Sequence, residues 1–351
     1  MTNKTFKIMG AIVAAVTAVS LSGCASSVAE ETQSESESKP TIVATTNVWA
    51  DITGQVAGEF FDVTAIISDP SIDPHSYEAS ARDQLDISEA DLFVVNGGGY
   101  DDFALILASA TETEMFNVYD VLEAAELEGG DEHAGESKDE HAGESADEHA
   151  GESADEHGDE HAGEHGDEHA GEHGDEHAGE HDGSDHMWYS LHSVEQTAIL
   201  LALKLGELQP ENAQYFADNA DAFVSEIAVL EQKLEALSDM DAHYFEAHML
   251  AAMLFADLGF ENLTPEGFAE SEEAGLEPSV RVMADSQELI SSGKLQFLAV
   301  NAQVTSPTLE SLKKLAEESG VPVLEFDELL PEGSNYQEWM ESKLDSIAAI
   351  R

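Results

Sequence analysis

At 351 residues the chain has room for two domains. Its formal net charge is −61, with 74 Asp and Glu against 13 Lys and Arg. This balance excludes nucleic acid as a partner, because phosphate binding needs clustered Lys and Arg, and it favours a surface that gathers cations.

The amino terminus reads as a targeting segment. Lys4 and Lys7 precede an apolar run over residues 8–21, too short and wrongly flanked for a spanning helix. The run ends Leu21-Ser22-Gly23-Cys24, which matches a bacterial lipoprotein box, and Cys24 is the only cysteine. Residues 1–23 are therefore expected to be a signal peptide and Cys24 the site of lipidation. Residues 24–39, rich in Ser and Glu, are expected to be a flexible tether. A lone cysteine allows no internal disulfide.

The first ordered block alternates strands with helices. Strands are expected at 41–45, 61–67 and 91–96, and helices at 49–58, 83–90 and 102–110. After an acidic insertion comes a helix at 193–208. Pro210 then opens a long helix whose apolar residues Phe216, Ala220, Phe223, Ile227, Leu230, Leu234 and Leu237 keep the 3.6-residue period. Beyond it, strands are expected at 243–247, 295–300 and 323–326, and helices at 249–258, 286–292, 308–319 and 336–350. Such alternation predicts parallel sheets built from βαβ units. The expected architecture is α/β, with an amino-terminal lobe over 40–209, a linker helix over 210–237 and a carboxyl-terminal lobe over 238–351. The ligand site would lie in the cleft between the lobes.

The insertion, residues 131–185, repeats a unit of about eight residues of the form DEHAGES or DEHAGEHG. It carries ten of the 15 histidines: His133, His141, His149, His157, His161, His165, His169, His173, His177 and His181. With no apolar face to bury and a glycine in every unit it is expected to stay disordered. Imidazole beside carboxylate at this density is suited to weak binding of divalent transition metals.

Open parallel sheets bind ligands beyond the carboxyl ends of their strands. Four ligand-type residues fall at such places. His75 lies in Asp73-Pro74-His75-Ser76-Tyr77 after the second strand. His186 stands where the insertion rejoins the ordered chain. His248 follows the strand ending near Ala247, and Glu328 follows the strand at 323–326. Three imidazoles and a carboxylate make a zinc-type donor set. No H-E-x-x-H, G-x-S-x-G or phosphate-binding loop is present.

From these residues the chain resembles the substrate-binding lipoproteins of bacterial zinc and manganese ABC importers. Val43-Ala44-Thr45-Thr46-Asn47 with Trp49 looks like that family's first strand and helix, and Asp73-Pro74-His75-Ser76-Tyr77-Glu78 like its first ligand motif. His186-Met187-Trp188-Tyr189-Ser190, the Pro210-Glu211-Asn212 helix start, His248 with Gly259-Phe260, Glu277-Pro278-Ser279 and Leu330-Pro331-Glu332-Gly333 extend the resemblance. Two stretches depart from it. Ala251 and Met253 stand where an aromatic pair is usual, and Asn301-Ala302-Gln303 where Glu-x-Gln is common. The resemblance implies His75, His186, His248 and Glu328 as metal ligands. His192, His243 and Asp327 compete with His186, His248 and Glu328 respectively. It further implies a non-enzymatic, monomeric receptor, lipid-anchored at the outer face of the cytoplasmic membrane and handing its ion to an ABC permease. Histidine at position 248, where manganese receptors carry Glu, points to Zn²⁺ as the cargo over Mn²⁺. A surface zinc-buffering adhesin is the alternative.

Overall fold

A computed structural model describes residues 39–130 and 185–351. The expected signal peptide, the lipidation site Cys24, the tether up to residue 38 and the ten-histidine insertion lie outside the described residues.

The chain builds two four-stranded parallel sheets. The first opens with β1 (Thr41–Thr46), the helix α1 (Asn47–Ala57), β2 (Asp62–Ile67), α2 (Ala81–Glu89) and β3 (Leu92–Val95). It continues with α3 (Asp102–Ala108), β4 (Met115–Asn117) and α4 (Val118–Gly130). Strand order is β2-β1-β3-β4. β1 pairs on both sides, Val43 lying opposite Thr64 and Phe93. β1 and β3 lie in the middle of the sheet and are buried, which explains the apolar runs Ile42-Val43-Ala44 and Leu92–Val95.

Two helices follow, α5 (Leu191–Leu208) and α6 (Ala213–Leu237). α5 starts where the Ser190 hydroxyl accepts from Ser193 N–H, an N-cap. α6 buries Phe216, Ala220, Phe223, Ile227 and Leu230, the stripe expected from the sequence. It packs on α1 and α5.

The second sheet comprises β5 (His243–Glu246), α7 (Ala252–Asp257), β6 (Glu261–Asn262), α8 (Ala269–Glu273), α9 (Val280–Ser291) and β7 (Phe297–Asn301). α10 (Pro307–Ser319), β8 (Val323–Phe326) and α11 (Tyr336–Ala348) complete it. Its order, β6-β5-β7-β8, repeats that of the first sheet. α11 returns to pack on α6 and α1.

Several elements differ from expectation. β4 and β6 are only three and two residues long, too short to show a period. α9 begins at Val280, six residues before the expected start at 286, because the Ser279 hydroxyl caps Val282 N–H. The helix expected from 249 starts at Ala252. Glu246 Oε1 accepts from Ala251 N–H at 2.7 Å, and Leu250 N–H bonds back to His248 O at 2.7 Å. A side-chain acceptor from the preceding strand thus turns residues 248–251 into a bend.

One continuous apolar core crosses the molecule. It includes Ile42, Trp49 and Trp188, then Phe216 and Ile227 of α6, then Phe297, Phe326 and Trp339. A smaller core, with Phe245, Phe268, Leu298 and Leu312, lies on the other face of the second sheet. Polar ties also join the two halves. The Asn47 side chain donates to Leu330 O and accepts from Leu330 N–H, both at 2.9 Å, and Tyr336 Oη donates to Trp188 O at 2.7 Å.

Candidate metal site

The carboxyl ends of both sheets face one cleft, and the four expected residues meet there. One ligand atom each from His75, His186, His248 and Glu328 lies within 4.8 Å of all the others. Glu328 is the hub. Its Oε1 is 3.3 Å from His75 Nε2 and 3.7 Å from His248 Nε2, and its Oε2 is 3.5 Å from His186 Nε2. These residues could hold one metal ion between three imidazole nitrogens and a carboxylate.

Local structure explains how each arrives. His75 is the middle residue of a short 3₁₀ turn, Pro74–Ser76, capped by Asp73 Oδ1 accepting from His75 N–H. His186 precedes a second such turn, Met187–Tyr189, whose three side chains are buried in the main core. His248 sits in the bend held by Glu246. Glu328 follows β8, and its N–H donates to Gln303 Oε1 at 3.0 Å. The His186 side chain is 2% exposed and Glu328 0%, whereas His75 is 28% exposed.

The competing residues point elsewhere. Asp327 pairs with Lys343 and accepts from Trp339 Nε1. His243 Nε2 lies 3.0 Å from Glu261 Oε2, and His192 is exposed on α5.

Other residues at the site were not singled out by sequence. Asp185 Oδ1 lies 3.1 Å from His186 Nδ1, the nitrogen opposite the one facing Glu328. A carboxylate there fixes ring orientation and tautomer and strengthens the imidazole as a donor. Asn96 in turn holds Asp185, donating to its backbone oxygen at 2.6 Å, while Trp49 Nε1 donates to Asn96 Oδ1. Tyr100 follows a turn of three left-handed glycines, and at Gly97 a Cβ would overlap the Asn117 side chain. That turn sets Tyr100 Oη 3.2 Å from Glu328 Oε2. Asn301 Nδ2 donates to Glu328 Oε1 at 2.7 Å. An Asp immediately before a candidate histidine was one available signal, and Asn301 stood out only as a departure from the family pattern; Tyr100 gave none.

The electrostatics suit a cation. Burial pushes the Glu328 carboxyl up, but His186 and His75 outweigh it and hold it well below its ordinary range. Burial opposes charge on His186, yet Glu328 and Asp185 carry it up to about 10. His75 is raised because Glu328 overcomes its burial, and His248 is pushed down to about 4 by burial. The pocket without metal therefore retains protons where a cation would sit.

On the His75 and His248 side the site opens into a cleft of about 470 Å³, lined in part by Asp73, Glu272, Leu276 and Glu277.

The architecture is two parallel sheets with a cluster of three histidines and a glutamate where their carboxyl ends meet. The chain belongs to the family described as "Zinc-uptake complex component A periplasmic", which matches residues 42–350. A manganese ABC transporter substrate-binding lipoprotein of Streptococcus pneumoniae is 35% identical over 129 residues, covering 34% of this chain and 40% of that one. The matched stretch thus spans less than half of that relative. A metal ABC transporter substrate-binding lipoprotein of Streptococcus cristatus is 22% identical over 349 residues, 94% of both chains. Among solved structures, a periplasmic zinc-binding protein from Treponema pallidum shares the fold, with a TM-score of 0.64 at 17% identity, covering 89% of this chain and 99% of that one. The relatives are named for different metals, so family membership leaves the ion open. No helix among the described residues is long and apolar enough to cross a membrane.

Proposed function

We propose that this protein captures Zn²⁺ outside the cytoplasmic membrane and delivers it to the permease of an ABC-type importer, with His75, His186, His248 and Glu328 as ligands. The observation that carries the reading is the convergence of three imidazole nitrogens and one carboxylate in a buried pocket. Zinc suits four N and O ligands in a tetrahedron, whereas manganese suits oxygen-rich octahedra. Four protein donors leave no open position for a catalytic water, which supports a carrier over a hydrolase. Cys24 would carry the lipid anchor that keeps the receptor near its permease, and a monomer suffices, since one chain supplies all four ligands.

Manganese is the second reading, supported by the name of the pneumococcal relative. Metal analysis and titration of purified protein without its lipid anchor separate the two. One zinc ion bound far more tightly than manganese is expected; tighter manganese binding overturns the zinc assignment. Growth of a deletion strain in chelated medium distinguishes a receptor, whose loss starves the cell of zinc, from a surface buffer.

A further inference from the structure

The Asn301-Ala302-Gln303 stretch joins the site to both lobes. Asn301 closes β7 and is fully buried. Its Nδ2 donates to Glu328 Oε1 at 2.7 Å while its Oδ1 accepts from Gln303 N–H at 2.9 Å. Gln303 reaches further, accepting from Glu328 N–H and donating through Nε2 to Pro70 O at 3.0 Å, in the loop that leads to His75. From the other lobe, Tyr100 Oη donates to Glu328 Oε2. Each carboxylate oxygen thus has its own buried donor, and the two donors come from different sheets.

We propose that Asn301 is a specificity-determining residue: with Tyr100 it fixes the position of the Glu328 carboxylate, so that the site accepts an ion content with four short bonds and disfavours one whose larger shell needs the carboxylate to move aside. The inference rests on the four-ligand site proposed above. Hard ions such as Mn²⁺ seek a larger, oxygen-rich shell than Zn²⁺. Glu328 already turns Oε1 toward His75 and His248 and Oε2 toward His186, so making room for that larger shell means displacing the carboxylate, which breaks a buried hydrogen bond and strands the Asn301 amide without an acceptor. An ionised acid at position 301 has no hydrogen to donate and would repel Glu328 instead.

The test titrates the protein and its Asn301→Ala, Asn301→Asp and Tyr100→Phe variants with Zn²⁺ and Mn²⁺ separately, using chelator competition at neutral pH. Thermal melts without metal check folding. The zinc-to-manganese affinity ratio should fall roughly 10–100-fold in the Asn301 variants, the range for outer partners of a ligand. Tyr100→Phe, which removes one hydroxyl, should shift the ratio the same way by less. A merely structural role would weaken both metals equally, and an unchanged ratio overturns the inference. If the Asn301 variants fail to fold, an unchanged ratio in Tyr100→Phe does so. A parent protein without a tight zinc site overturns the ligand assignment itself, a distinct result.

Discussion

His186, His248 and Glu328 belong to segments whose neighbours fill the core shared by both halves, whereas His75 sits on a short turn beside the solvent cleft. Met187, Trp188 and Tyr189 follow His186 into that core, and Phe326 and Leu330 bracket Glu328. Leu250 and Ala251 follow His248 into it through a bend tied by Glu246, but His75 has only a capped 3₁₀ turn beneath it. Three donors are thus preorganised by packing and the fourth by local hydrogen bonds. Preorganisation on rigid elements spares the binding step the entropy of ordering ligands.

The largest test of that difference removes one donor of each kind. His186→Ala and His75→Ala should each abolish tight zinc binding, beyond the roughly 100-fold that an outer partner costs. Their effects on the metal-free fold should diverge. His186→Ala breaks a buried ion pair and should lower stability by about 3–5 kcal/mol, while His75→Ala, partly exposed, should stay within about 1 kcal/mol. Urea denaturation of the metal-free variants measures both, and equal losses would erase the distinction.

Acid and base sharpen it next. Metal must displace the proton on His186, so affinity should rise with pH by about tenfold per unit for each proton released. Stability without metal runs the other way. His186 is held up to about 10, so its contribution is complete below the ordinary value of 6.5 and lost as pH climbs through 10. Glu328 is held low, so its contribution is present above 4.5 and lost as pH falls through its depressed value. Calorimetry in buffers of different ionisation enthalpy should show net proton release on zinc binding at neutral pH. No release there means that His186 is neutral in the free protein.

A smaller effect is expected from Asp185→Asn, which keeps the shape and removes the charge behind His186. Zinc affinity should fall roughly 10–100-fold with the fold intact; unchanged affinity would show that the contact is incidental.

The smallest effect on the tight site should come from deleting residues 132–182. The ten histidines there are expected to bind further ions weakly, since ordering a chain around each ion costs about 1–2 kcal/mol per residue. Titration of the deletion variant should show one tight zinc site and no weak ones. Loss of the tight site from a folded variant would mean that the insertion supplies essential ligands.

Much of the fold was legible because β1 and β3 carry short apolar runs and α6 carries a helical stripe. β4 and β6 were illegible because two or three residues hold no period. The bend after His248 depends on Glu246 reaching five residues ahead, a contact invisible to any local pattern. His75, His248 and Glu328 could be found because each is a ligand type standing past a strand, and His186 because the histidine-rich insertion leads into it. Choosing Glu328 over Asp327 required coordinates, since only Lys343 and Trp339 reveal which way Asp327 turns. Asn301 read as a departure from the family pattern, and its bond to a carboxylate 27 positions away gives that departure a meaning.

The core that runs unbroken from β1 through α6 to α11 bears on residence time. Swinging one lobe about α6 would open that packing along its whole length, a slow step for the metal carrier proposed above. Shifting the Pro74–Ser76 turn would disturb far less buried surface and open the site toward the cleft beside it. On that reading ion departure would be a local event at the His75 edge, and a partner would need to grip only that turn to hasten it.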